Sequence, residues 1–218
     1  PSVVGGSALA ILILKRGGMS GGQSIATVFI TALLDELFYL LAVPIFILLS
    51  LAAGHAVFPP DAGMGFGASI PWIFGIAYAF IAMLTSIIFM GILQSPERTH
   101  RWLNRLSNWK LIEKWSAGLR QWSLDLLEAS KNMRQRSFLF WFQAFGSTVI
   151  SWTARFLTLN MILYIFIESV PHAAVLGRQL VLWLALTISP TPGSSGLAEV
   201  ALPAFLGDLV GFGYLAAV

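Results

Sequence analysis

SPTPGSSGLAE, residues 189–199, sets two prolines, two glycines and a glutamate between VLGRQLVLWLALTI and VALPAFL, two strongly apolar stretches. Ala173–Ser189 is apolar except for Arg178 and is long enough for nearly a full crossing of a bilayer. Leu197–Leu206 is ten residues, about 15 Å of helix, against a hydrocarbon core of roughly 30 Å. Either the chain turns inside the membrane and goes back out, or one helix is interrupted partway. In both cases irregular backbone lies at membrane depth, which is tolerated only when buried in protein or lining a wet cavity. The remaining alternative is an ordinary loop followed by Leu197–Val218 as one full span.

The rest of the chain supports a membrane setting. Of its 218 residues, 57% are hydrophobic and 11% charged, where a soluble domain carries roughly 25% charged residues. There is no cysteine, which excludes disulfides and thiolate metal sites. The three histidines, His55, His100 and His172, fit no metal spacing, and no P-loop is present. Hence no metal, cofactor or nucleic-acid partner is expected. The chain starts at Pro1, and Leu209–Val218 reads as a helix cut midway, so one membrane domain over 1–218, incomplete at both ends, is expected.

Gln23–Ala53, Ile70–Leu93 and Phe138–Ile167 are long apolar runs, the first interrupted by Asp35-Glu36 and bent at Pro44, the third broken by Arg155. Between the second and third lies Ser95–Arg136, with nine of the thirteen Lys/Arg residues and four of the eight Trp. Ile112, Trp115, Leu119, Trp122 and Leu126 recur at the spacing of one helical face. This reads as an amphipathic helix in the membrane interface, either recruiting anionic headgroups or simply setting orientation. By the positive-inside rule residues 95–136 are cytoplasmic, and Lys15-Arg16 then falls on the same side.

The chain opens on PSVVGGSALAILILKR, whose Pro1-x-x-x-Gly5 matches Pro192-x-x-x-Gly196. Each is followed by a short apolar helix and a polar stop, one leaving to the cytoplasm and the other entering from outside. That is the arrangement of an inverted repeat whose broken helices meet at a substrate site. Residues 1–94 and 137–218 are then parts of the two repeats, joined by the connector 95–136. A helix starting after Gly196 offers unpaired N–H groups and a positive dipole end to an anion. Ser194 and Ser195 can cap that helix or bind the ligand, and Glu199 either complements the dipole or meets cargo. Charges at mid-bilayer cost about 2.5–3.5 kcal/mol each, so Asp35, Glu36, Arg155 and Glu199 should face protein or a cavity. Arg155 either pairs with Asp35 or Glu36 or binds a phosphate there. Arg178, towards the outer end, is expected to snorkel to headgroups.

At these motifs the chain resembles the flippase-like transmembrane domain of lysylphosphatidylglycerol synthases and their stand-alone relatives. The likeness lies in PSVVGG followed by LKRGGMSGGQSIATVFITALLDELFYLL, and in PTPGSSGLAEVAL, similar to that family's Pro-x-Pro-Gly-Gly-x-Gly-x-x-Glu signature. It covers nearly the whole chain and implies two or three further helices before Pro1. The pattern is departed from at Gly6, where many members have Glu, at Ser194-Ser195, which replace a Gly-containing pair, and at Thr31-Ala32, where an Arg often precedes the acidic residue matching Asp35.

The fold expected is an all-α polytopic membrane protein with long helices and two broken or re-entrant segments. The function expected is movement between leaflets of a lipid with an anionic, aminoacylated or glycosylated phosphate headgroup. Its site comprises Pro1, Ser2, Gly5, Gly6, Asp35, Glu36, Arg155, Pro192, Gly193, Ser194, Ser195, Gly196 and Glu199. Alternatives are a secondary transporter of a small anion and a scaffold for a lipid-modifying transferase. No nucleophile–base pair stands at a recognisable spacing, so an enzyme is not expected.

Overall fold

The computed structural model describes residues 2–58, 70–107, 116–166, 171–187, 194 and 196–210. Among these residues the regular structure is helical. The helices are α1 (Ser2–Arg16), α2 (Gly21–Ala52), α3 (Ile70–Ile88), α4 (Pro96–Ser107), α5 (Ser116–Arg134), α6 (Phe138–Phe166), α7 (His172–Thr187) and α8 (Leu197–Val210). A π-helical turn, Phe89–Gln94, prolongs α3.

Gly21–Ala52, Pro71–Gln94 and Phe138–Ile165 are long and apolar enough to cross a membrane. Only 17–28% of their most apolar windows is buried, so most of that surface needs lipid or a neighbouring subunit to cover it. The spans coincide closely with the apolar runs in the sequence. The first begins two residues earlier than hydropathy indicates, because Gln23 is its third residue. The Gln23 side chain accepts from the Ser20 amide while the Gln23 amide donates to the Ser20 hydroxyl, both at 3.2 Å. This reciprocal capping box starts the helix at Gly21.

Pro44 lies inside α2 and has no N–H for the carbonyl of Leu40. The Tyr78 hydroxyl of α3 donates to that carbonyl at 2.9 Å. The backbone defect left by proline is thereby closed by a side chain, as an apolar environment requires.

The chain divides into two compact units. One contains Leu37–Ala82 and Gly146–Val218, the other Val3–Glu36 and Met83–Phe145. In the first, Val175, Val181 and Leu182 of α7 form a core with Ala201, Phe205 and Leu206 of α8, Leu163 of α6 and Val57. Leu186 is linked to Ser194 and Arg178 to Phe205, so contacts persist as the two helices recede from their connection. They run antiparallel: the chain reverses here, and the alternative of one interrupted helix is excluded. With 16 and 14 described residues, the arms are about 24 and 21 Å long.

In the second unit α4 and α5 form another antiparallel pair. Ser123 meets both His100 and Asn104, and Arg120 donates to Ser107 at 3.2 Å. The connector is therefore two helices, not one amphipathic helix, and Ile112 and Trp115 lie outside the described residues. The first turn of α2 packs against α5 so closely that a Cβ on Gly22 would overlap Asp125 Cβ and lie 2.5 Å from the Leu126 amide nitrogen. Only glycine permits that approach.

Candidate functional site

The α7–α8 connection is built from orphaned helix ends. The carbonyl of Leu186, in the last turn of α7, accepts a hydrogen bond from the Ser194 hydroxyl at 2.9 Å. Ser194 thus closes the end of α7, where sequence reasoning placed it at the start of α8. Its φ is 57°, a left-handed conformation that disfavours residues with a Cβ. Gly196 follows with φ 82°, and α8 starts at the next residue. The Glu199 carboxylate turns back to accept from the Gly196 amide at 2.5 Å, half of a capping box. Between them, Leu197 and Ala198 head a helix whose first N–H groups have no partner within it.

Arg155 stands on α6 in the same unit. Its guanidinium lies 4.7 Å above the Trp152 ring, and its side chain is exposed. Trp152 contacts Phe38, Tyr39, Phe156 and Trp183, at centroid distances of 5.0–6.2 Å. Trp183 is less than one turn before Leu186, the residue that holds Ser194. The aromatic cluster therefore links Arg155, through Trp152, to Trp183 of α7. The ring face attracts the guanidinium charge, and the exposed side chain remains open to an acceptor.

Arg178 departs from its expected role. It is 1% exposed and donates through Nε to the Ala56 carbonyl at 3.0 Å and through Nη1 to the Phe205 carbonyl at 2.9 Å. It does not snorkel: two backbone carbonyls hold it inside the unit, tying α8 and the segment after α2 to α7. A second buried polar group, Asn160, was not singled out from sequence. It is fully buried, donates to the Phe156 carbonyl at 3.3 Å, and meets His172 Nδ1 at 3.1 Å through Oδ1. The amide oxygen requires the His172 proton to be on Nδ1. An Asn and a His twelve residues apart carry no sequence signature of pairing.

Asp35 and Glu36 belong to the other compact unit. Both are half-buried on α2, and Glu36 Oε2 is buried with no hydrogen-bond partner among the described residues. Ser2, Gly5 and Gly6 lie within α1, which is helical from Ser2 onward. The first glycine motif is thus inside a helix, whereas Gly196 of the second lies in the turn before one. The readings of Pro1, Pro192, Gly193 and Ser195 lie outside the described residues. Among those residues no group of three or more His, Asp or Glu side chains is placed to hold a metal ion.

An all-α membrane protein is defined by these features, with a helical hairpin whose facing helix ends are capped by Ser194 and Glu199, and a stacked arginine in the same unit. The family model for the lysylphosphatidylglycerol synthase TM region matches residues 1–218, and the chain belongs to that family. It is also similar to a UPF0104 membrane protein of Archaeoglobus fulgidus, 24% identical over 212 residues, which cover 93% of this chain and 59% of that protein. The chain thus spans less than two thirds of the relative's length. No solved structure matches.

Proposed function

We propose that the chain is the lipid-handling part of a flippase-like protein of the cell membrane, passing a lipid with an anionic, aminoacylated or glycosylated phosphate headgroup between leaflets. The observation that carries this reading is that Arg155 is exposed and stacked on Trp152, whose ring meets Trp183 of α7, in the same unit as the α7–α8 hairpin. An exposed guanidinium held over the Trp152 ring suits a phosphate oxygen pair. The first turn of α8 adds backbone donors and the positive end of a helix. Family membership and the uncovered apolar faces of the spans agree with a lipid cargo entering sideways.

In this reading the headgroup phosphate rests on Arg155 and the α8 N-terminus. Glu199 serves a cationic or hydroxylated part of the head. The α4–α5 connector lies on the cytoplasmic side, and the chain performs no covalent chemistry. A lipid-modifying transferase is the partner such a path would serve.

Glu199 separates structural from cargo roles. Glutamine at 199 still accepts from the Gly196 amide, whereas alanine does not. In proteoliposomes holding the intact protein, fluorescent phosphatidylglycerol should exchange between leaflets faster than phosphatidylcholine. Radiolabelled glycerol phosphate should stay outside. Glu199→Gln should keep wild-type thermal stability yet slow exchange of aminoacylated lipid. Entry of the soluble anion without lipid exchange would replace this reading with a small-anion transporter.

A further inference from the structure

A second site stands out in the compact unit that holds α4 and α5. A groove of about 690 Å³ runs between the first turns of α2, the end of the second span, and α4 and α5. That volume falls in the roughly 300–1,000 Å³ range of sites that enclose a small ligand. Ile25, Phe29, Ile88, Ile92, Leu103 and Leu126 supply most of its walls.

Its few polar groups are already engaged. The Thr99 hydroxyl donates to the Gly91 carbonyl at 2.7 Å, inside the π-helical turn where the Ser95 amide bonds five residues back to Met90. The Ser123 hydroxyl lies within 3.2 Å of acceptors on Asn104 and Arg120. What remains is an apolar trough with one charged lining residue, Arg98, which is exposed. No carboxylate is among the described lining residues. Trp102 and Trp122, 62% and 45% exposed, also line it, the residue type that sits at headgroup depth.

Three facts select the occupant. The groove lies where two membrane spans meet the connector, so it opens at the level of the interface. Its walls match a hydrocarbon chain rather than a polar solute. Its lone charge, and nine of the chain's thirteen Lys/Arg residues in the surrounding connector, match an anion. We infer that this groove is a binding site for one anionic phospholipid, an acyl chain lying along α4 and α5 and the phosphate on Arg98. The lipid would fill the space between Ile25 and Phe29 of α2 and the connector, beyond the direct contact of Gly22 with α5. This inference stands whether or not the chain moves lipids.

The test uses the full-length protein, delipidated in detergent, titrated with dioleoylphosphatidylglycerol or dioleoylphosphatidylcholine and read by native mass spectrometry. One phosphatidylglycerol should bind more tightly than the rest and raise the thermal unfolding midpoint. Arg98→Gln should weaken that binding about tenfold, the order of one charge-assisted contact, and leave phosphatidylcholine unchanged. Ile88→Trp, which fills the trough, should weaken both lipids. Should that variant not fold, excess glycerophosphoglycerol, the headgroup without chains, should fail to displace the lipid from wild type. Equal affinity for the two lipids with no effect of Arg98→Gln would overturn the inference. Displacement by glycerophosphoglycerol, or recovery of a bound protein partner in place of lipid, would overturn it as well.

Discussion

Ser194 occupies a glycine's conformation with a side chain that is in use. Its φ of 57° is one that glycine adopts without strain. A left-handed residue with a Cβ costs roughly 1–2 kcal/mol, offset here by the bond to the Leu186 carbonyl. Ser194→Ala keeps the strained backbone and loses the bond; Ser194→Gly loses the bond and relieves the strain. The glycine variant should therefore unfold at a higher temperature than the alanine variant, by the equivalent of about 1 kcal/mol, in detergent melts read by circular dichroism. Arg178 is the opposite case. Arg178→Met fits the space but leaves the Ala56 and Phe205 carbonyls without their donor, and should cost roughly 1.5–3 kcal/mol. Sequence could show that Arg178 lies along an apolar run, but not that two carbonyls from distant segments converge on it. That convergence exists only once the chain is folded.

At the scale of elements, the helices were legible wherever one residue type dominates the local energy. Apolar runs mark the spans because a bilayer rewards nothing else over about 20 residues. Ser20 and Gln23 make the start of α2 legible through the capping-box spacing. Proline at 44 marks a missing backbone N–H, but the compensation for it could not be read, because Tyr78 is on another helix. That pair gives a direct test. Tyr78→Phe should destabilise the protein by about 1–3 kcal/mol, the cost of an orphaned carbonyl. In the Pro44→Ala background, where the backbone N–H restored at position 44 serves the Leu40 carbonyl, the same change should cost much less. Equal costs in both backgrounds would show that the hydroxyl is not serving this carbonyl. The turn before α8 was foreseen from its glycines, yet the matching glycines at Gly5 and Gly6 lie inside α1. A Pro-x-x-x-Gly pattern alone does not specify where a helix begins.

For the whole molecule, the asymmetry of charge predicts how the spans are oriented. The chain has no cysteine, so single-cysteine variants report topology without background. Lys131→Cys, at an exposed position of α5, should react with a membrane-impermeant maleimide only after the cytoplasmic side is opened. His55→Cys, beyond the other end of α2, should react in intact cells, and the reverse pattern would invert the topology. Which charged residues serve cargo was not legible from position along helices, because Asp35 and Glu36 fall in one compact unit and Arg155 and Glu199 in the other. The central claim concerns Arg155. The most direct measurement is the rate of phosphatidylglycerol exchange between leaflets in proteoliposomes of the intact protein, comparing wild type, Arg155→Lys and Arg155→Ala at matched folding and incorporation. Losing one charge-assisted contact of roughly 1.5–3 kcal/mol should slow exchange at least about tenfold in the alanine variant, with lysine between it and wild type. Exchange at the wild-type rate in Arg155→Ala would remove this residue from the lipid path.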